Sequence, residues 1–153
     1  MQKFLIIIFI CTACNNSSSD TVPERKDGYT VILKTKEDSL FHEVMEGHNI
    51  GMARMGKIKG YISNVQQSMD SIKNLTPSLR SNAADYSDVL ESLLKELQNA
   101  ESGMNVWMDE FNIDSAKENL DKRLQYLEDE KERVNKVRDD ILNSIRKVDS
   151  LLK

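Results

Sequence analysis

The chain has few of the residues on which zinc sites, disulfide frameworks and β-rich folds depend. Its 153 residues include two cysteines, two histidines and two prolines, and aromatic residues make up 6%. This inventory excludes a zinc site of three histidines or of four cysteines. The low aromatic and proline content argues against β-sandwiches and barrels, which need many strand formers and turns. A formal charge of −4 provides no basic surface, so we expect no nucleic-acid partner.

The first thirteen residues, 1–13, predict a lipoprotein signal peptide. Lys3 precedes an uninterrupted apolar run at residues 4–10, which is the order of a secretory signal. The run is much shorter than the roughly 20 residues of a transmembrane helix. The next four residues read Cys-Thr-Ala-Cys and resemble a bacterial lipobox, although Cys11 stands where leucine is usual. We therefore expect a lipid on Cys14 that anchors the chain to a membrane.

Residues 14–34 predict a polar tether with a short extended run at 29–33. Asn15 rather than an acidic residue follows the cysteine, and no acidic export tag is present. These features favour an outer-membrane lipoprotein in the cell envelope that faces the periplasm. Cys11 and Cys14 also allow a redox or metal pair, but the βαβ context of such a pair is missing.

Beyond the tether, apolar residues recur at alternating steps of three and four, which is typical of coiled-coil-like helices. We predict an all-α fold over residues 35–153, an antiparallel up-down-up three-helix bundle with helices at about 35–74, 79–111 and 115–152. Short connections make neighbouring helices antiparallel. Thr35 is the expected N-cap of the first helix, and Ser115 with Glu118 is the expected capping box of the third. The predicted core positions of the first helix are Phe41, Met45, His48, Met52, Met55, Ile58, Ile62, Val65, Met69 and Ile72.

The predicted fold brings methionines, a histidine and the single tryptophan together. If the first two helices turn near residue 77, residue 48 faces residue 107. Thioether and imidazole groups suit Cu(I) or Ag(I), and an indole face can lie over such a cation. The candidate ligands are Met45, His48, Met52, Met55, Met104, Trp107 and Met108. The same residues are also typical of a plain helical core, in which methionine fills gaps, and a His/Met pair allows b-type haem.

Four glycines interrupt the first predicted helix at positions 47, 51, 56 and 60. Each costs up to about 1 kcal/mol relative to alanine in a helix interior. They predict close backbone approach to the neighbouring helices, space for Trp107 or a ligand, or a kink near Gly51.

No catalytic motif accompanies these features, so we expect no enzymatic activity. We find no serine–histidine–aspartate set, phosphate-binding glycine loop or HExxH motif. We expect an interaction or scaffold module that binds a protein partner or a second copy of itself. The alternatives are a soft-metal protein and a periplasmic chaperone-like protein.

Residues 43–58 and 104–111, together with the charged third helix, resemble small lipoproteins of Bacteroidota often labelled "viral A-type inclusion protein". The resemblance covers most of the mature chain. It implies a helical fold and an envelope location but no particular activity. Asn49 departs from the pattern, because these proteins often have an acidic residue after the histidine.

Overall fold

The computed structural model describes residues 33–151, and this range contains helices and no strand. The all-α prediction is therefore confirmed, with four packed helices where three were predicted. The signal peptide 1–13, Cys14 and the tether up to residue 32 lie outside the described residues. The helices are α1 (Lys36–Lys73), α2 (Pro77–Asn82), α3 (Ala84–Glu110) and α4 (Leu120–Leu151).

Thr35 caps the start of α1, as the sequence predicts, and it forms a capping box with Asp38. The Thr35 hydroxyl accepts a hydrogen bond from the Asp38 amide at 3.0 Å, and the Asp38 carboxylate accepts one from the Thr35 amide at 3.0 Å. Both bonds satisfy amides that a helix start leaves without intrahelical partners. They also lower the pKa of Asp38, the Thr35 side chain having the largest effect. The helix then continues unbroken past Gly51 and ends at Lys73.

The second predicted helix is divided into a short α2 and a long α3. Pro77 starts α2, because its fixed φ suits the first turn of a helix. Ala83 interrupts the two helices with φ −98° and ψ 7°, and its amide donates to Leu79 and Arg80 carbonyls at 3.2 and 3.1 Å. The second helix was expected to start near residue 79. Instead, the short helix α2 precedes the long helix α3, which starts at Ala84.

The last helix begins at Leu120, and the predicted capping box at Ser115 is wrong. Ala116 adopts a left-handed backbone with φ 59°, which no α-helix can include. Instead, the Asn119 side chain accepts a hydrogen bond from the Lys122 amide at 3.0 Å. Asparagine caps helices as well as serine does, so the four residues after Ser115 remain in the connection.

Ion pairs link the three long helices along their length. The start of α1 lies beside the start of α4, with Glu37 3.0 Å from Arg123 and Lys36 2.8 Å from Glu128. Lys57, further along α1, pairs at 2.9 Å with Asp149 near the end of α4. Further pairs join α1 to α3, α1 to α4, and α3 to α4: Lys59–Glu101, Glu43–Lys131, Glu96–Lys147 and Glu110–Arg133.

The core consists mainly of leucine, isoleucine, valine and methionine from the three long helices. The buried residues of α3 are Leu90, Leu93, Leu97, Ala100, Met104 and Trp107, whereas Tyr86 is 44% exposed. In α4, Arg123 and Glu130 are buried, whereas Leu120 is 61% exposed. Among the described helices, none is long and apolar enough to cross a membrane.

Candidate functional site

The first half of α1 places glycines, and not the predicted methionines and histidine, against α4. Gly47 and Gly51 are buried. A β-carbon at Gly47 would lie 3.0 Å from Val134 Cγ1 and 2.8 Å from Asn135 Oδ1. The helix backbones therefore approach closely, which only glycine allows without movement of these side chains. The prediction of close approach is confirmed for these two glycines, whereas Gly56 and Gly60 face open space.

This arrangement moves His48 from the centre of the predicted core to its edge. With about 100° between successive residues, His48 and Met52 lie about 60° and 100° around α1 from Gly51. Gly47 lies about 40° in the opposite direction, towards α4. His48 and Met52 are thus on the side of α1 that faces α3. The His48 ring is half-buried, and its centroid is 5.5 Å from that of Trp107.

On α3, Met104 and Trp107 extend this site into the core. A β-carbon at Gly51 would collide with the terminal methyl of Met104, so this side chain packs against Gly51 of α1. Met104 is fully buried and Trp107 is 3% exposed. We call the boundary between α1 and α3 at this position the methionine–histidine groove. Its residues are His48, Met52, Met104 and Trp107.

The groove opens to solvent at Met52, which is 38% exposed. Met45 is half-buried and lines a separate shallow depression with His42 and Asn49. Met108 is 36% exposed, and Met55 is 7% exposed and belongs to the core. The structure thus brings His48 next to Trp107, as the sequence register predicts, and Met104 against Gly51.

Asn49 holds one nitrogen of the His48 ring. His48 Nδ1 lies 3.1 Å from Asn49 Oδ1. An amide oxygen can only accept a hydrogen bond, so Nδ1 carries the proton and neutral His48 keeps the lone pair of Nε2 for a ligand.

An aromatic row and a buried arginine adjoin the groove and were not predicted. Trp107 stacks on Phe111 at 4.8 Å between centroids, and Phe111 stacks on Tyr126 at 6.1 Å. Arg123 lies over Tyr126, 5.8 Å from its centroid. A sequence signal existed for the row, because Trp107 and Phe111 are four residues apart on one helix face. No sequence pattern distinguishes Arg123 from its exposed neighbours.

Two polar atoms near this row are buried without a hydrogen-bond partner: Trp107 Nε1 and Glu130 Oε2. The other Glu130 oxygen accepts from Arg133 at 2.7 Å. Such unpaired atoms cost stability.

The groove's donor atoms are thioethers, one imidazole and an indole. Within residues 33–151, no three histidine, cysteine, aspartate or glutamate side chains converge on a common point that could hold a metal ion. Methionine is not one of these four residue types. A soft cation, which prefers thioether sulfur and imidazole nitrogen, would bind at the methionines and His48. Cys14, the other candidate site, is outside the described residues.

The chain matches no protein-family profile, and neither curated proteins nor solved structures provide a match.

Proposed function

We propose that this protein is a lipid-anchored lipoprotein of the cell envelope, held in the outer membrane and facing the periplasm. The observation that carries the proposal is the lipobox-like sequence ending in Cys14, behind Lys3 and the apolar run 4–10. Resemblance to small Bacteroidota lipoproteins supports the same location. The helical unit that follows acts as a non-enzymatic interaction or scaffold module.

We further propose that the three long helices form an up-down-up bundle, with α2 as part of the first connection. The ion pairs support this arrangement. The starts of α1 and α4 meet through Glu37 and Arg123, whereas α3 meets α4 with Glu96 beside Lys147 and Glu110 beside Arg133. The order of these pairs is that of parallel α1 and α4 with an antiparallel α3.

The proposed interaction surface is an open depression between the beginning of α3 and the end of α4. It has a volume of about 320 Å³ and is lined by Val89, Leu93 and Leu151 among others. Val89 and Leu151 are 43% and 46% exposed, and Tyr86 lies one turn before Val89. Lys57 of α1 pairs with Asp149, which lies beside the Lys147 and Ser150 lining of this depression, and at 1.5 Å per residue Lys57 is about 32 Å along α1 from its first residue, Lys36. A protein partner is therefore proposed to bind at the end remote from the anchor.

Metabolic labelling with a fatty acid tests the anchor. The full chain expressed in a Bacteroidota host should incorporate label and fractionate with outer membranes. Cys14→Ser should abolish both, whereas Cys11→Ser should abolish neither. Labelling that survives Cys14→Ser would overturn the lipoprotein proposal.

Site-specific photo-crosslinking tests the interaction surface. A crosslinker at Val89 in cells should trap a discrete partner, whose mass distinguishes a second copy of the chain from another envelope protein. Exposed Gln66 on α1 is the matched control position. Equal adducts from both positions would remove the support for a defined surface.

A chaperone-like role is the second candidate, since Tyr86, Val89 and Leu151 expose apolar surface. It predicts suppression of the aggregation of an unrelated unfolded client. A scaffold predicts no such suppression. Soft-metal binding is a separate proposal, argued below.

A further inference from the structure

The methionine–histidine groove combines three properties of a ligand site: soft donor atoms, an oriented imidazole and access from solvent. The helix register turns His48 and Met52 of α1 towards α3. Met104 enters from α3, with its terminal methyl against Gly51. Met104 is fully buried, whereas 38% of Met52 is exposed, so an ion can reach Met52 and the half-buried His48 without separation of the helices.

The hydrogen bond to Asn49 is the observation that distinguishes His48 from an ordinary half-buried histidine. Histidines that bind metals commonly donate their second ring nitrogen to an oxygen acceptor, which fixes the tautomer and the ring orientation. Asn49 Oδ1 takes this position at 3.1 Å from Nδ1. The Nε2 lone pair is then the atom available for coordination.

We propose that the groove binds one monovalent soft cation, Cu(I) or Ag(I), through His48 Nε2 and the sulfur atom of Met52, which are one turn apart on the same side of α1. Thioethers prefer such ions over Mg²⁺, Ca²⁺ or Mn²⁺, which prefer oxygen ligands. Methionine has three rotatable bonds, so the Met52 sulfur atom reaches the ion by side-chain rotation. The Trp107 ring, 5.5 Å from the His48 ring, flanks the ion.

The small size of the residues on the α4 side explains why the site lies between α1 and α3. Gly47 and Gly51 let α1 lie close to α4. The bulky, sulfur-containing face of the same helix is consequently directed to α3. The glycines thus have a role in the proposal although they supply no ligand atom.

Titration of the full chain with Ag(I) tests the proposal, with Cu(I) under reducing conditions as the second probe. Cys11→Ser and Cys14→Ser are introduced first, because thiolates would compete for both ions. Trp107 is the only tryptophan, so its fluorescence reports directly on the groove. We expect a fluorescence change that saturates at one equivalent, and a rise in Tm.

The chain provides matched controls for each ligand. His48→Gln and Met52→Leu should each weaken binding at least tenfold. His42→Gln and Met69→Leu should leave it unchanged, because His42 is about 120° around α1 from His48 and Met69 is almost five turns beyond Met52. Zn²⁺ should not compete with Ag(I).

Asn49→Ala keeps every ligand atom and is the more specific test. It should reduce affinity by about tenfold or more, as expected when the partner of a metal-bound imidazole is lost. Circular dichroism verifies that each variant is folded. If His48→Gln is unfolded, the affinities of Asn49→Ala and Met52→Leu for Ag(I) test the proposal. It would be overturned if both variants bind Ag(I) as tightly as the parent chain, or if the parent chain responds to neither ion. Neither outcome bears on lipidation of Cys14 or on crosslinking at Val89.

Discussion

Individual glycines of α1 have different roles although they look alike in the sequence. Gly47 lies against Val134 and Asn135, whereas no atom lies within 4 Å of a β-carbon built at Gly56. The flexible glycine backbone costs stability at both positions. Only at Gly47 does close helix packing offset this cost.

Alanine substitutions should therefore have opposite effects at these two positions. Gly56→Ala should stabilise the protein by about 0.5–1 kcal/mol, because alanine favours the helix and meets nothing. Gly47→Ala should destabilise it by about 1 kcal/mol, since overpacking against a stiff valine exceeds the gain in helix propensity. Urea unfolding measures both. A stabilised Gly47→Ala variant would mean that α1 and α4 are not in close contact there.

Arg123 connects three parts of the chain from one buried position. Its side chain is 4% exposed and pairs with Glu37 of α1, and it donates to the Ser115 carbonyl at 2.9 Å. It thereby holds the α3–α4 connection and the start of α1 against α4.

We expect Arg123→Ala to lower the free energy of unfolding by about 2 kcal/mol, because the Glu37 carboxylate and the Ser115 carbonyl both lose a charged hydrogen-bond donor. Lys136→Ala is the matched control, since Lys136 pairs with Asp140 on the surface with 78% of its side chain exposed. That exposed pair should contribute under about 0.5 kcal/mol. Equal losses in the two variants would contradict a special role for Arg123.

Sequence patterns predict some helix boundaries of this protein better than others. The cap of α1 was predictable because Thr35 is a good cap residue and acidic residues follow it in the first turn. The start of α4 was not, because Ser115 and Asn119 are both good caps. The left-handed Ala116 decides between them, and nothing in its residue type indicates that conformation.

Alanine substitution of the two rival caps tests this boundary. Asn119→Ala should destabilise the protein by about 1 kcal/mol, as is usual for loss of an N-cap. Ser115→Ala should change stability little, since the Arg123 bond is made to the backbone carbonyl of Ser115. If chemical denaturation shows Ser115→Ala to be more destabilising than Asn119→Ala, the predicted capping box at Ser115 is correct.

The capping box of α1 should make stability depend on pH. Hydrogen bonds lower the folded-state pKa of Asp38, with Thr35 as the main cause. A lowered carboxyl pKa gives a contribution that is complete above the unfolded value of about 3.9 and disappears as the pH falls through the folded value. The difference in stability between the wild type and Asp38→Asn should therefore be present at pH 6 and narrow below about pH 4. A difference that does not vary with pH would argue against the charged cap.

The site shows where pattern reasoning succeeds and where it stops. Helix register alone placed residue 48 opposite residue 107, and the His48–Trp107 contact agrees with it. The same pattern wrongly put His48 at a central core position, because a hydrophobicity pattern assigns methionine rather than glycine to the core. In the structure, Gly47 and Gly51 take the buried positions, since their lack of a side chain lets α4 pack closely against α1. The hydrogen bond between His48 and Asn49 requires coordinates.

At the scale of the whole molecule, ion pairs define which helix ends meet. Seven pairs join different long helices, and most are partly exposed. Apart from the buried pair of Arg123, each contributes little energy, but together they favour the observed register. The apolar core alone would allow helices to slide or reverse.

Spin-label distances test the proposed up-down-up arrangement directly. Position 36 is labelled together with 128, 147 or 96 in a full chain with Cys11→Ser and Cys14→Ser. The 36–128 distance should be the shortest, because Lys36 and Glu128 are paired at 2.8 Å. The 36–147 distance should be longer by about 20–28 Å, since helix α4 rises about 1.5 Å per residue. Position 96 pairs with Lys147 and should be equally remote from 36. A short 36–147 distance would require α4 to run antiparallel to α1 and would overturn both the bundle and the register from which the methionine–histidine groove is built.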